Sequence, residues 1–245
     1  YSTLVTTKAS RIVAASRGRA VLEFGSRRAH GIDAATEGAR ACYIAGARGT
    51  ACTLAGQKYA VPVSGTVAHS YIQLHDSEYE AFLQYARVSP DNCVLLVDTY
   101  DTLHSGIPNA IRVAKEYLIP HGYRLKGIRI DSGDLAYLSK KARKMLDAEG
   151  LTDTQIVVSN SLDEFLIDDL IMQGARIDSF GVGENMITAK STPVLGGVYK
   201  VCAHERDGVI IPKIKISGNV EKLTNPGFKK IVRFYDNDDG KAIGD

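Results

Sequence analysis

The sequence is short of three things, and each shortage removes a class of function. It has no excess charge of one sign: 30 Lys and Arg against 28 Asp and Glu over 245 residues leave a formal net charge of +2. Nucleic acid and anionic membrane surfaces are held by clustered basic residues, so neither is expected as a partner. It has no long apolar run; the purest strand-like stretch is Cys93 to Val97, far below the roughly 20 residues of a membrane span. It has few cysteines, and Cys42, Cys52, Cys93 and Cys202 form no CxxC and no Cys/His pair at metal-ligand spacing. Free thiols in a reducing cytosol are the expectation, with no zinc site. No charged-then-apolar leader is visible and the first residue is Tyr1, so a cytoplasmic chain cut from a longer one is expected.

What is present is material for a sizeable core, 44% of residues being hydrophobic, with 23 glycines to turn the chain. Short β-rich runs alternate with amphipathic helical stretches, the pattern of a mostly parallel sheet with crossover helices. The spacing predicts strands at 20–24, 48–50, 61–67, 93–98, 127–130, 155–159 and 177–182. Between them, Tyr79, Phe82, Leu83 and Ala86 recur at helical spacing after a cap at Asp76 or Ser77. Ile107, Ala110, Ile111, Ala114 and Leu118 make a second stripe, with Pro108 in the first turn. Leu138, Ala142, Met145 and Leu146 make a third between Asp134 and Gly150, and Leu162, Leu166 and Leu170 a fourth. From about Lys190 the pattern turns to β-hairpin material around Asp207-Gly208, ending in a polar tail, NDDGKAIGD. The expected division is an α/β barrel body over 1–190 and a β-hairpin-rich, truncated segment over 191–245.

Chemistry-bearing residues gather where strands end. Glu23-Phe24-Gly25-Ser26-Arg27-Arg28 closes the first strand; its guanidinium pair is either solvated or a clamp for a planar anion, with Phe24 as the stacking face. VSGTVAHS delivers His69 among small neighbours, either as a structural histidine or as a base, phosphate contact or nucleophile. LLVDTYDT runs an apolar strand straight into Asp98 and then Asp101, which is expensive unless they face a cleft, a metal or a ligand. In GIRIDSGDL, Arg129 and Asp131 point to one side at period two. Asp131-Ser132-Gly133-Asp134 then turns into a helix, fitting either a bare cap or a site for ribose hydroxyls, phosphate and magnesium. Ser159-Asn160-Ser161 repeats that grammar without charge, and Gly181 and Gly183 allow close backbone approach to a phosphate. Closing successive parallel strands, these groups are expected to converge on one rim of a barrel.

Taken jointly, EFGSRRAHGIDAA (23–35), GTACTLAGQKYAVPVSGTVAHS (49–70), LLVDTYDT (95–102), GIRIDSGDL (127–135), VVSNSLDE (157–164), FGVGENMIT (180–188), LGGVYK (195–200) and KISGNVEKLTNPGFK (215–229) resemble the nicotinate/nicotinamide phosphoribosyltransferase family. The resemblance implies the irregular TIM-like α/β barrel of type II phosphoribosyltransferases with a small β-rich C-terminal extension. It implies coupling of nicotinate to 5-phosphoribosyl 1-diphosphate, with Mg2+ and with ATP as co-substrate, giving nicotinate mononucleotide and pyrophosphate for NAD synthesis. Carried over by position, Phe24 resembles the ring-stacking aromatic and Arg27 the basic group near the pyridine and phosphates. His69 matches the histidine that ATP phosphorylates, Asp98 a carboxylate near pyridine and ribose, and Arg129 and Asp131 the ribose and phosphate contacts. Ser132 and Gly133 belong to that substrate-binding turn, Gly181 and Gly183 match the 5-phosphate loop, and Asp98 with Asp131 are the candidate magnesium ligands. The family also implies a homodimer and an N-terminal domain absent before Tyr1. The nicotinamide enzymes carry GTDT where this chain has GTACT (49–53); lacking that carboxylate, the site favours the acid, with nicotinamide as the alternative substrate. A non-catalytic phosphate-binding barrel is the remaining alternative.

Overall fold

In the computed structural model, residues 1–220 and 223–244 are described; Glu221 and Lys222 of the KISGNVEKLTNPGFK stretch and Asp245 of the polar tail lie outside the described residues. The chain divides into two units, Tyr1–Val194 and a second beginning at Leu195.

The first unit is built on six parallel strands: β1 (Ala20–Glu23), β2 (Gly49–Thr50), β3 (Val94–Leu96), β4 (Gly127–Ile130), β5 (Gln155–Val158) and β6 (Ser179–Val182). Their order is β2-β1-β6-β5-β4-β3. Such strands are buried on both faces and so read as apolar runs. Leu95, Ile128, Ile130, Ile156, Val158, Phe180 and Val182 are all buried completely. Seven strands were expected; the run 61–67 contributes one parallel bridge, Thr50 to Val63. Pro62 has no N–H to offer a ladder and Gly65 no side chain to pack, which keeps the segment extended but unladdered. The curled sheet is the TIM-like α/β arrangement expected, with fewer laddered strands.

The helices follow their caps. Helix α5 (Glu78–Val88) starts where Ser77 accepts the amide of Glu80, and it buries Phe82 and Ala86. Helix α7 (Leu135–Ala148) is capped by Asp134, which accepts from the amide of Tyr137, and Gly150 takes up a φ of +76° just past its end. Helix α6 (Ile107–Val113) has Pro108 in its first turn but sits between two π-helical turns, Thr102–Gly106 and Ala114–Leu118. Gly106 is required there, since a Cβ would fall 1.8 Å from the carbonyl oxygen of Val97. In α8 (Glu164–Met172) the expected Leu162–Leu166–Leu170 stripe is corrected. Asp163 caps the helix through the amides of Phe165 and Leu166, so Leu162 precedes it, Leu166 is 37% exposed and Ile167 takes the core position.

Two long helices and three short ones carry no expectation from the sequence. Helix α1 (Ser2–Ala15) buries Val5, Ala9 and Ile12, and α2 (Ile32–Ile44) buries Ala39, Ala41 and Cys42. Short helices α3 (Thr53–Tyr59), α4 (His69–Gln73) and α9 (Glu184–Ile187) lead away from the strand ends. Of the four cysteines, all free, Cys42, Cys52 and Cys93 are buried, and burial pushes the Cys93 thiol up to about 12.

The second unit holds two antiparallel pairs, β7 (Ala203–Arg206) with β8 (Val209–Pro212) and β9 (Phe234–Tyr235) with β10 (Ala242–Gly244). The first pair turns at Asp207-Gly208 as expected, both residues having positive φ, +51° and +77°. No helix of the described residues is long and apolar enough to cross a membrane.

Candidate active site

Because the six strands are parallel, their carboxyl ends lie at one edge, and the sequence places a polar or glycine-containing turn after all but β2, which is followed by Ala51-Cys52. Two cavities open there, of about 280 Å3 and about 150 Å3, sharing Phe24, Arg27, Arg129 and Asp131 as lining. The larger adds Ala51, Thr66, Ala68 and His69. The smaller adds Ser159, Asn160, Gly181 and Gly183.

Arg129, on β4, organises the floor. Its Nε donates to Ser159 Oγ at 2.8 Å, one terminal nitrogen to Thr66 Oγ1 at 2.8 Å and the other to Asp131 Oδ1 at 2.9 Å. Three of the five N–H groups of a guanidinium are thereby used, leaving two to meet a ligand. The same guanidinium stands 5.5 Å from the centroid of the Phe24 ring. That ring lies against Gly181, where a Cβ would fall 2.5 Å from its edge carbons. Gly181 thus seats the aromatic as well as lining the smaller cavity.

His69 opens α4. Its Nδ1 is 3.0 Å from Thr99 Oγ1, and its Nε2 faces two carboxylates, Asp131 Oδ2 at 3.7 Å and Asp98 Oδ1 at 4.0 Å. Asp98 ends the apolar run of β3 with its side chain 1% exposed. Its Oδ2 accepts from the Asp131 amide at 2.9 Å and from Ser132 Oγ at 2.6 Å. Its Oδ1 is buried with no hydrogen-bond partner. An unfilled buried carboxylate oxygen beside a second carboxylate is the hard-donor chemistry that suits Mg2+, which takes one or two carboxylates and fills its shell with water and phosphate oxygens. Among the described residues no group of three or more His, Cys, Asp and Glu is spaced to hold a metal by itself, so any ion here would depend on the ligand for the rest of its shell.

Most of the expected residues are therefore brought together: Phe24, Arg27, His69, Arg129, Asp131, Gly181 and Gly183 line the cavities, and Asp98 reaches His69 from below. Ser132 stands one step back, holding Asp98, and Gly133, at φ +79°, turns the chain into α7 without lining either cavity. Asp101 does not reach the cleft; it caps the π-helical turn through the amides of Leu103 and His104. Arg28 pairs with Glu184 at 3.5 Å, and both line the smaller cavity. Two groups escaped the sequence reading: Thr66, which holds Arg129, and Thr99, which holds His69, since a hydroxyl alone carries no pattern. Ser159, singled out in the sequence as part of an uncharged turn, also holds Arg129.

Beneath the rim lies Glu23, completely buried, on the face of β1 opposite Phe24. Burial raises its carboxyl above the ordinary value of 4.5, against the pull of hydrogen bonds from Thr50 and Gly25. A larger cavity of about 500 Å3 sits at the opposite, amino-terminal end of β1 and β6, lined by Arg19, Arg143 and Asp178. Two of its three guanidiniums are spent on carbonyls, Arg143 on Leu151 and Thr154 and Arg19 on Ile177; Arg176 is the third. The chemistry lies at the carboxyl rim.

The model of the Nicotinate phosphoribosyltransferase (NAPRTase) family matches residues 20–208. A nicotinate phosphoribosyltransferase of Bacillus subtilis is 53% identical over 247 residues, covering 100% of this chain and 49% of the relative. One from Mycobacterium tuberculosis is 44% identical over 230 residues, covering 94% of this chain and 48% of the relative. Among solved structures, human nicotinic acid phosphoribosyltransferase superposes with a TM-score of 0.69 at 30% identity, over 75% of this chain and 47% of that one. The chain spans about half the length of the curated relatives it matches. With a family match over most of its length, and with the rim residues assembled as described, the chain belongs to the nicotinate phosphoribosyltransferase family.

Proposed function

We propose that the protein joins nicotinate to 5-phosphoribosyl 1-diphosphate, releasing pyrophosphate and forming nicotinate mononucleotide in the salvage route to NAD. The observation that carries this reading is the joint placement of Arg129, Asp131 and His69 at the rim beside the Phe24 ring. In the reaction the pyridine nitrogen forms a bond to C1 of the ribose while the C1–O bond to pyrophosphate breaks. Positive charge gathers on the ribose, and carboxylates there stabilise it. Phe24 offers a stacking face for the pyridine, and Arg27 and Arg129 offer donors to the phosphates. Ala51, in the wall of the larger cavity, puts no negative charge beside a nicotinate carboxylate, which favours the acid over the amide. Magnesium, held by Asp98 Oδ1 and Asp131, would offset the charge of the departing pyrophosphate.

In the same reading ATP phosphorylates His69, and hydrolysis of the phosphohistidine drives turnover. The imidazole has the exposure for it, its side chain being 39% exposed at the cavity wall. The reading also carries a cytoplasmic homodimer, which sedimentation and fractionation of the full-length protein would test.

The experiment is formation of nicotinate mononucleotide by the full-length protein, with and without ATP, with nicotinamide as a parallel substrate. ATP-stimulated product from nicotinate is expected. Equal or better use of nicotinamide would reverse the substrate assignment, and absence of product with no heat of binding from phosphoribosyl diphosphate and magnesium would make the barrel non-catalytic. With γ-labelled ATP, an acid-labile, base-stable label lost in His69→Ala is expected; no label would overturn the phosphohistidine.

A further inference from the structure

Glu23 is the one acidic residue at the rim end of the sheet whose exposure is zero, and it has no ion-pair partner among the described residues. Burying a carboxylate away from water without a cation is costly, and an apolar side chain at this position, facing the helix layer, would avoid that cost. Both of its oxygens are instead consumed by the turns that follow two adjacent strands. One accepts the amide of Gly25 and the other the hydroxyl of Thr50. Thr50 Oγ1 in turn accepts the amide of Cys52 at 2.9 Å, and the amide of Ala51 donates to the Glu23 carbonyl at 2.8 Å.

These links end on the walls of the larger cavity. Gly25 directly follows Phe24, and Ala51 lies between Thr50 and Cys52; Phe24 and Ala51 both line that cavity. On its far side the Gly25 turn is fixed by packing, since a Cβ there would meet Ile187 at 2.6 Å and the carbonyl of Gly183 at 2.8 Å. β1 and β2 themselves pair only through Leu22 with Gly49 and Glu23 with Thr50. A two-residue ladder ends there, and beyond it two ties span the turns: the Ala51 amide on the Glu23 carbonyl, and the Glu23 carboxylate, which alone reaches the Gly25 amide and the Thr50 hydroxyl.

We propose that Glu23 is a positioning residue: by clamping the Gly25 amide and the Thr50 hydroxyl it sets the separation of Phe24 and Ala51, and so the width of the slot that receives the pyridine. This rests on the reading of that cavity as the pyridine site. Glu23 does not touch the substrate; it acts through Thr50 and the Gly25 turn.

The test uses the full-length protein with Thr50→Val, Thr50→Ser and Glu23→Asp. Valine keeps the shape of threonine but neither donates nor accepts; serine keeps the hydroxyl; aspartate is one methylene too short to reach both turns. Expected are a KM for nicotinate raised about tenfold in Thr50→Val and Glu23→Asp, a KM for phosphoribosyl diphosphate changed less than twofold, and recovery to within twofold of the parent in Thr50→Ser. Crystal structures of parent and Thr50→Val are expected to show the Phe24 ring displaced relative to Ala51. The proposal is overturned if Phe24 and Ala51 keep their separation, or if the apparent kcat falls in step with lost folded protein while both KM values stay at those of the parent. Should the parent fail to turn over nicotinate, the functional reading falls by itself, and the Phe24–Ala51 separation still decides the positioning claim.

Discussion

The hydroxyl of Thr99 lies 3.0 Å from Nδ1 of His69, which leaves Nε2 of the same ring facing Asp131 at 3.7 Å and Asp98 at 4.0 Å. One nitrogen is thus assigned to holding the ring and the other to the cavity. Thr99→Val removes the hold while keeping the shape. The expected outcome is about a tenfold fall in the rate of His69 labelling by ATP, near the 1.4 kcal/mol of a single well-placed hydrogen bond, with Thr99→Ser restoring it. Rapid-quench labelling of the full-length protein measures it, and an unchanged rate in the valine variant would show that packing alone holds the ring.

Gly181 meets the Phe24 ring so closely that an added Cβ would fall 2.5 Å from two of its carbons. The ring is only partly buried and lines both cavities, so Gly181→Ala is expected to displace it rather than unfold the protein. A loss of about 1–2 kcal/mol in stability is expected from overpacking, with a rise of about tenfold in KM for nicotinate. Urea denaturation and steady-state kinetics read the two effects separately; a stability loss with no change in KM would mean that the ring does not hold the pyridine.

Much of the rim was legible because its grammar is local. In GIRIDSGDL, period two put Arg129 and Asp131 on one side, and Asp134 announced the cap of α7; the ion pair at 2.9 Å and the capped Tyr137 amide follow from those two rules. Non-local partners were not legible. Glu23 reads as the end of a strand, and only the packing of β1 beside β2 shows that its carboxylate serves Thr50, 27 residues on. The run 61–67 has the apolar content of a strand, but Pro62 and Gly65 deny it a ladder. Helix α1 was hidden because its polar residues include one that is buried: Lys8, 2% exposed, breaks the apolar stripe in the sequence and is explained only by its partner.

That partner is Glu164, at the start of α8, 2.7 Å from the Lys8 ammonium, with Arg11 adding a bond at 3.1 Å to the other oxygen. The pair fastens α1 to α8. Removing one member strands the other, so Lys8→Met is expected to destabilise by about 3 kcal/mol, moderated by the half-exposed Arg11. Lys8→Met with Glu164→Leu fills the same space without charge and is expected to recover most of that loss. Thermal unfolding of the two variants checks this; an equal loss in both would place the effect in packing and not in charge.

Glu23 gives stability a pH dependence of defined sign. Its carboxyl is raised above 4.5 in the folded protein by burial, so the native state holds the proton more tightly than the unfolded chain does. That contribution is complete below about pH 4.5 and is lost as pH rises through the raised value, each tenfold change in proton affinity corresponding to about 1.4 kcal/mol. The nearest other titratable groups are Tyr1, pushed up to about 12 by burial and by the charges of Cys42 and Glu23, and the Cys42 thiol, pushed well above its ordinary value by burial and by Glu23. Both stay neutral across the window, which isolates the carboxyl. Glu23→Gln carries no titrating proton, so the urea midpoint of the parent is expected to fall relative to this variant between pH 4.5 and pH 8. Parallel curves for the two proteins over that range would mean that the carboxyl keeps its ordinary acidity in the fold.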